Sequence, residues 1–566
     1  MQVNNTTNNA NQKSTEQQVR ASLKKQLWAI ANILRGKMNA DEYKNYILGF
    51  IFYRYLSDEF EKYADSVLQK IAPGKKYAEN NLTDKEKNFV KKLVKSKIGF
   101  YLEPHELFSY IVKKGKGEIE GADTFIIEDL KQALNKIEQT AQGTDAEEAY
   151  VGLFDDVDLN STKLGKRPQD RNQTIVEVLS KLAEIDFQLN DAESDILGNA
   201  YEYLIGEFAS EAGKKGGEFY TPAQVSKLLA KLVTLNLPVD KDGKKRIRKA
   251  YDPTCGSGSL LLKLKDEAEV LEFYGQELNP TTYNLARMNM LLHRIDPNKF
   301  HIRQGDTLED DQFPDLKADV IVANPPFSAK WKSDENPLFA NDPRFAPYGV
   351  LAPKSYADYA FVTHMIYHLQ DNGHMAIVLP HGTFFRGGRE YKIRKYLIEK
   401  ANVIDAIIGL PANLFYGTSI PAIIMVFRKN RQPGEPILFI DASREFEKGK
   451  NQNYLRDKDI EKIVQTYKER KEIDKYSHLA TLDEIKENDF NLNIPRYVDT
   501  FEEEPEIDID AVVKEINQLK EQEKHIREKL NKYLEKLGVG KVWRRSYYVQ
   551  EWCLHTIYWW VWIGEV

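Results

Sequence analysis

From about Thr174 to Tyr476 the chain alternates short apolar runs with amphipathic stretches, and this alternation most restricts the folds open to it. The runs at Ile302, Val320 to Ala323, Met375 to Leu379, Val403 to Ile408, Ile423 to Phe427 and Leu438 to Ile440 read as buried strands, with helices such as Tyr356 to Leu369 between them. Strands that alternate with helices pair mainly in parallel, so an α/β doubly wound sheet is predicted. Such sheets bind ligands at the carboxyl ends of their strands.

Three predicted strand ends carry chemistry. Asp252 closes the first, followed by the turn Pro253-Thr254-Cys255-Gly256-Ser257-Gly258-Ser259 and an apolar helix expected over Leu260 to Val270. Glycines let that backbone approach a ligand closely. Neither the GxxxxGK[ST] phosphate loop nor the G-x-G-x-x-G spacing occurs here, which argues against a nucleotide-driven translocase. Glu277 ends the next strand, Phe273 to Glu277, where an acid reaches ribose hydroxyls in a βαβ nucleoside site. Asp306, after Phe300 to Arg303, is a candidate partner for the adenine amine of a cofactor. Each acid alone reads as a solvated loop residue, but the three together favour a nucleoside pocket.

Asn324-Pro325-Pro326-Phe327 follows the run Ala318 to Ala323. An exocyclic amine is a poor nucleophile because its lone pair is delocalised into the ring. Two oxygen acceptors that take its hydrogens, here the amide of Asn324 and the carbonyl of Pro325, free that lone pair for in-line attack on a methyl donor. Consecutive prolines stiffen the loop, and Phe327 offers a ring for an extruded base to stack on. No cysteine lies near 324 to 327, so a cytosine-C5 mechanism, which needs a thiolate there, is excluded. The histidines show no ligand-spaced pair with cysteine or carboxylates on one helix, and no metal is expected.

With these motifs in this order the chain resembles the N6-adenine DNA methyltransferases, and most closely the modification subunit of type I restriction-modification systems. Gly217-Glu218-Phe219-Tyr220-Thr221-Pro222-Ala223 resembles the family segment that closes over S-adenosylmethionine, Asp252 to Ser259 its glycine loop, and Asn324 to Phe327 its catalytic loop. Arg386 to Glu390 and Gly409 to Pro421 resemble further family segments. The resemblance spans roughly Leu27 to Leu537 and implies a Rossmann-like S-adenosylmethionine-dependent domain. It also implies double-stranded DNA as substrate, a DNA-specificity subunit shared by two copies of this chain, and a restriction/translocase subunit. Read without the resemblance, the same pocket also suits a methyltransferase of RNA or protein glutamine, or a non-catalytic DNA-binding and assembly subunit.

The rest of the chain divides around this segment. Residues 1–17 are expected to be a disordered lead-in, 18–165 a helical domain rich in aromatics, 174–476 the catalytic domain, and 477–537 a segment with a partner-binding helix. That helix, Asp510 to Leu537, carries a heptad seam through Val512, Ile516, Leu519, Ile526, Leu530, Tyr533 and Leu537, interrupted at Glu523. Residues 538–566 form a tryptophan-rich tail unlike the family, too short in its apolar part to span a bilayer and expected to play no catalytic role. The formal net charge of -6 fits a subunit that leaves much of its grip on phosphates to a partner. Two cysteines, Cys255 and Cys553, suit a reducing cytoplasm. Of two basic clusters, Lys244 to Lys249 reads as a solvated face, whereas Arg386, Arg389, Lys392, Arg394 and Lys395 are expected to reach phosphates. The proline-bearing stretch Ser328 to Lys354 is expected to be a long loop.

Overall fold

Apolar runs that are buried on both faces need a layer on each side, and the central segment supplies them. The computed structural model describes residues 22–187, 196–211, 220–415, 418–450, 452–500 and 508–538. Its main sheet comprises β1 (Arg246–Asp252), β2 (Glu269–Glu277), β3 (Phe300–Gln304), β4 (Ala318–Ala323), β5 (Leu369–Pro380), β6 (Ile404–Gly409), β7 (Ala422–Arg428) and β8 (Ile437–Asp441). A hairpin of β9 (Glu447–Lys448) and β10 (Asn453–Tyr454) stands apart, and β11 (Ser477–Ala480) completes the nine-stranded order β11-β8-β6-β7-β5-β4-β1-β2-β3. Pairing is parallel from β3 through β5 and between β6 and β8, while β7 and β11 run antiparallel to their neighbours. The doubly wound expectation is met.

Alternation along each strand divides the side chains between two cores. Val320 and Val322 join one, Ile321 and Ala323 the other, and Val378 and Ile377 divide likewise. The chain leaves β1 toward β2 and β3, then returns to pair β4 on the opposite side of β1. This reversal opens a crevice at the carboxyl ends of β1 and β4.

The helical region centres on Ala40–Ile71, which buries Tyr46, Ile47, Leu48, Phe50, Ile51, Phe52 and Tyr53 in near-continuous sequence. A helix buried on every side is the axis of a bundle. Its core runs into that of the sheet, and Tyr55 donates to the carbonyl of Leu291, 3.1 Å away in the helix Pro280–Leu292. Arg287 of that helix is 1% exposed and reaches back to the carbonyls of Glu148 and Val151, at 3.0 and 2.7 Å.

Several boundaries differ from the sequence reading. The helix Pro168–Ala183 runs across the expected seam at 174, and Lys37 bonds Thr174 at 2.6 Å, so its residues pack with the helical region. The helix after the glycine turn is Ser259–Leu264 alone, and Val270 lies in β2. The sheet does not end at 476: β11 pairs with β8, and Tyr497 stacks on Phe439 at a centroid distance of 4.0 Å. Apolar periodicity is short in these stretches, and long-range pairing overrode it. Ser328 to Lys354 is a series of short 3-10 turns closed around buried Trp331, Phe339 and Phe345.

The described residues 508–538 belong to a second unit. Its helix Ile509–Lys536 is capped by Asp508, whose side chain accepts from the amide of Ala511 at 2.9 Å, and Val512, Ile516, Leu519, Ile526, Leu530 and Tyr533 of its seam are exposed. The expected lead-in 1–17 and tail residues 539–566 lie outside the described residues. No helix among the described residues is long and apolar enough to cross a membrane.

The Arg287 bridge yields a test of how the helical region holds the sheet. Arg287→Ala leaves two backbone carbonyls without their charged donor and should lower unfolding free energy by about 3 kcal/mol, from charge-assisted bonds of about 1.5–3 kcal/mol each. Urea denaturation measures this, and an unchanged midpoint would refute the bridge.

Candidate active site

Each strand of the reversal delivers one group to the crevice. Asp252, at the end of β1, is 1% exposed and accepts from the amide of Thr254 at 2.9 Å. Burial, with a smaller contribution from Glu277, pushes its carboxyl up to about 8. The turn beyond it takes left-handed conformations at Gly256 (φ 53°) and Gly258 (φ 75°), which L side chains adopt only with strain. The Gly256 amide donates to Glu277 Oε2 at 3.0 Å, and the Cys255 amide donates to the carbonyl of Gln276 at 3.0 Å. The turn is thereby laced to the end of β2. Cys255 is buried and its thiol is pushed well up by burial, which suits a packing residue.

Glu277 also accepts from the amide of Asn279 at 2.8 Å, and burial raises its carboxyl. Asp306, two residues past β3, accepts from the amides of Leu308 and Glu309 at 3.0 and 3.3 Å. Asn324 follows β4 directly and is 6% exposed. Its Nδ2 donates to Thr221 Oγ1 at 3.1 Å, whereas its Oδ1 is buried with no hydrogen-bond partner. An unsatisfied buried acceptor costs about 1–3 kcal/mol, which a ligand N-H would recover.

A cavity of about 410 Å³ gathers Tyr220, Thr221, Asp252, Gly256, Ser257, Ser259, Glu277, Asp306, Asn324 and Pro326 on its wall. That volume is in the range of small-molecule sites, about 300–1,000 Å³. Pro222, Ala223, Gly258, Pro325 and Phe327 are not on the wall. Phe327 instead sets its ring edge to face against Phe415 at a centroid distance of 5.9 Å. Glu218 and Phe219 lie outside the described residues, as do Gly217, Tyr416 and Gly417 of the quoted segments. Sequence reasoning missed Leu278, Leu308, Trp331 and Phe361, which also line the cavity. Leu278 had a signal, since an apolar residue directly after a strand-end acid emerges at the crevice, where it is 61% exposed. Trp331 and Phe361 had none, because packing alone brings them there.

Three carboxyl groups, of which Asp252 keeps its proton to about 8, face one cation, Lys330, among the described residues of this wall. Such a field opposes phosphates and favours a cationic ligand with hydroxyl groups.

Two sequence readings need correction. Arg394 does not reach phosphates: it is 1% exposed and donates to the carbonyls of Phe490, Thr383 and Arg386 at 2.7, 2.9 and 3.2 Å. Arg389 is paired with Asp334 at 3.0 Å. The histidines do include a ligand-spaced pair, since His364 and His368 stand one turn apart on the helix Asp358–His368, with Asp311 brought near by its loop so that the three donor atoms lie within 4.8 Å of one another. Every donor nitrogen there has a partner. His368 meets the carbonyl of Leu316 at 2.9 Å and Asp311 at 3.0 Å; His364 meets Tyr251 at 3.0 Å and the guanidinium of Arg344 at 3.3 Å. Burial acts to raise the Asp311 carboxyl, yet the bond from His368 and the histidine charges hold it at about 2. Arg344, which also grips the carbonyls of Thr307 and Leu308 at 2.9 and 3.1 Å, opposes a second cation at this spot. The cluster is a hydrogen-bonded brace behind the cavity.

Comparison with known proteins agrees with this layout. Residues 192–506 match the family model described as N-6 DNA Methylase, and residues 23–182 match the HsdM N-terminal domain. The chain is 36% identical over 545 residues to the type I restriction enzyme MpnII methylase subunit of Mycoplasma pneumoniae, covering 93% of this chain and 98% of that one. It is 31% identical to the MjaIX methylase subunit of Methanocaldococcus jannaschii, over 83% of each. The crystal structure of a type I restriction-modification methyltransferase subunit from Streptococcus thermophilus superposes with a TM-score of 0.76 at 44% identity, covering 85% of this chain and all of that one.

The raised carboxyl of Asp252 makes stability depend on pH. An aspartate in the unfolded chain ionises near 4, whereas this one keeps its proton to about 8 in the ligand-free fold. Its contribution to stability is therefore complete below about pH 4 and is lost as pH rises through about 8. Asp252→Asn keeps an oxygen for the Thr254 amide but cannot ionise. The variant should gain on the wild type in thermal unfolding between pH 5 and pH 8.5, and a pH-independent difference would contradict the assignment.

Proposed function

The chain belongs to the N-6 DNA methylase family, among the methylase subunits of type I restriction enzymes, and we propose that Asn324 and the cavity beside it are where its adenine methylation takes place. The activity is adenine-specific DNA methylation, dependent on S-adenosylmethionine. When bound, that cofactor supplies an electrophilic methyl group on a sulfonium.

The residues present fit it. An acidic wall suits a ligand carrying sulfonium and ammonium charges, and of the residues that line it we assign Glu277 to the ribose hydroxyls, Asp306 to the adenine amine and the Gly256 to Ser259 turn to the amino-acid portion. Tyr220 and Thr221 line the same wall, and Glu218, Phe219, Pro222 and Ala223 complete the proposed cofactor segment.

One observation carries the catalytic reading. Thr221 engages the amide nitrogen of Asn324, and the buried Asn324 Oδ1 is left without a partner, an acceptor that a substrate N-H would satisfy. A target adenine rotated out of the duplex, at a cost of a few kcal/mol, would give one N6 hydrogen to this oxygen and the other to the carbonyl of Pro325. Both acceptors hold the nitrogen lone pair toward the methyl group, and the stiff Pro325-Pro326 backbone keeps them in place. Phe327, half-buried on Phe415, is the proposed stacking surface for that base.

A net charge of -6 and an exposed apolar seam on Ile509–Lys536 support a DNA-specificity subunit as the main reader of DNA, with two copies of this chain to one of it and a restriction/translocase subunit in the full complex. A cytoplasmic location is proposed with this activity, since the DNA it methylates lies there.

Asn324→Ala should keep cofactor binding by calorimetry and lose about 10²–10³-fold in methyl transfer to DNA, the scale for removing an oriented polar group that acts on the reacting atoms. Labelled methyl should appear on DNA and not on RNA or protein. Near-normal transfer by the variant would refute the assignment.

A further inference from the structure

The segment Arg386 to Glu390 lies beyond β5, and its arginine was expected to reach DNA phosphates. The structure engages it otherwise. Arg386 Nη1 lies 3.1 Å from Asp358 Oδ2 and 3.0 Å from Glu390 Oε1, and both carboxylates belong to side chains only 1% exposed. Its Cζ lies 4.1 Å from the ring centroid of Tyr356. On the remaining side is Gly382, where a Cβ would come within 2.4 Å of Nη2. The guanidinium needs that glycine in order to lie where it does.

The other oxygen of Asp358 reaches the catalytic loop. Its Oδ1 accepts from the amide of Ser328 at 2.9 Å, and Arg386 Nη2 lies 3.4 Å from the hydroxyl of the same serine. Ser328 follows Phe327 directly and holds a left-handed backbone, φ 54°, that a serine adopts only when its surroundings compel it. The carbonyl of Ala329, one residue on, accepts from the amide of Ala357 at 2.9 Å. The carboxyl side of the loop is thus pinned to the start of the helix Asp358–His368.

We propose that Arg386 and Asp358 are positioning residues for methyl transfer: the arginine fixes the Asp358 carboxylate, and the carboxylate fixes the bend at Ser328 that sets the direction of the Asn324 and Pro325 acceptors. This rests on the catalytic reading of Asn324. Burial raises the carboxyls of both Asp358 and Glu390, the latter to about 7, so without the guanidinium between them at least one would hold a proton and the acceptor for Ser328 would weaken.

The test uses the full chain in the complex that methylates duplex DNA. Arg386→Met, Arg386→Lys, Asp358→Asn and Asn324→Ala are compared for cofactor binding, for DNA binding against salt concentration, and for single-turnover transfer at saturating DNA. Arg386→Met should slow transfer at least about tenfold, as misplacement of acceptors by a fraction of an ångström does, with cofactor affinity and the salt slope of DNA binding unchanged. Arg386→Lys, which keeps a cation between the acids, should recover part of the loss, and Asp358→Asn should be slowed with normal cofactor affinity. If Arg386→Met fails to fold, the lysine and asparagine variants carry the test alone. The proposal is overturned if Arg386→Met transfers at the wild-type rate, or if its defect is weaker DNA binding with a salt slope reduced by about one, the mark of a lost phosphate contact. An active Asn324→Ala would sink the catalytic reading itself, whereas an inactive Asn324→Ala beside a fully active Arg386→Met sinks only the positioning role.

Discussion

Parallel pairing of β1 with β2 on one side and β4 on the other is the constraint from which the site follows. The register sets Asp252 beside Gly275 and Tyr251 beside Ile321, so the strands end at nearly one level and their terminal residues converge. Asp252, Glu277 and Asn324 are far apart in sequence, and they share a wall because three strands stop together. The bond from the Gly256 amide to Glu277 is a consequence: the turn after β1 can lie across the end of β2 only because that end is adjacent.

Around this edge, charge is distributed in two ways. On the cavity wall burial raises the carboxyls of Asp252 and Glu277, a cost to their charged forms that a cationic ligand can relieve. Behind the wall the opposite holds. Arg344, Arg386 and Arg394 are bonded to carboxylates or backbone carbonyls, so much of the chain's basic charge near the crevice is committed to holding loops. Among the described residues few cations are left there for phosphates, in keeping with the negative net charge of the chain.

Much of this was legible in the residues. The apolar runs announced a doubly wound sheet because both faces of such strands are covered, and Asp252, Glu277, Asp306 and Asn324 could be placed at strand ends by counting from those runs. The basic cluster after β5 misled, since a row of arginines and lysines has the same appearance whether it faces solvent or is turned inward. Arg394 is among the most buried large side chains of the chain, and nothing in its neighbours in sequence distinguishes it from the exposed Arg389. The paired histidines at 364 and 368 were overlooked for a similar reason: their third member, Asp311, comes from a loop before β4.

Periodicity and turn chemistry act through near neighbours along the chain, so the sequence by itself determined the sheet class, the glycine turn after the first strand, the Pro325-Pro326 loop and the heptad seam of the last long helix. Which polar groups find partners depends on strand order and on which loops meet, and that was decided only in the folded molecule. Closure over long range left the buried Asn324 Oδ1 without a partner while it occupied Arg386 and Arg394. The physical reason is that a buried charge or amide takes its partner from whatever element packs against it, and the order of residues does not name that element.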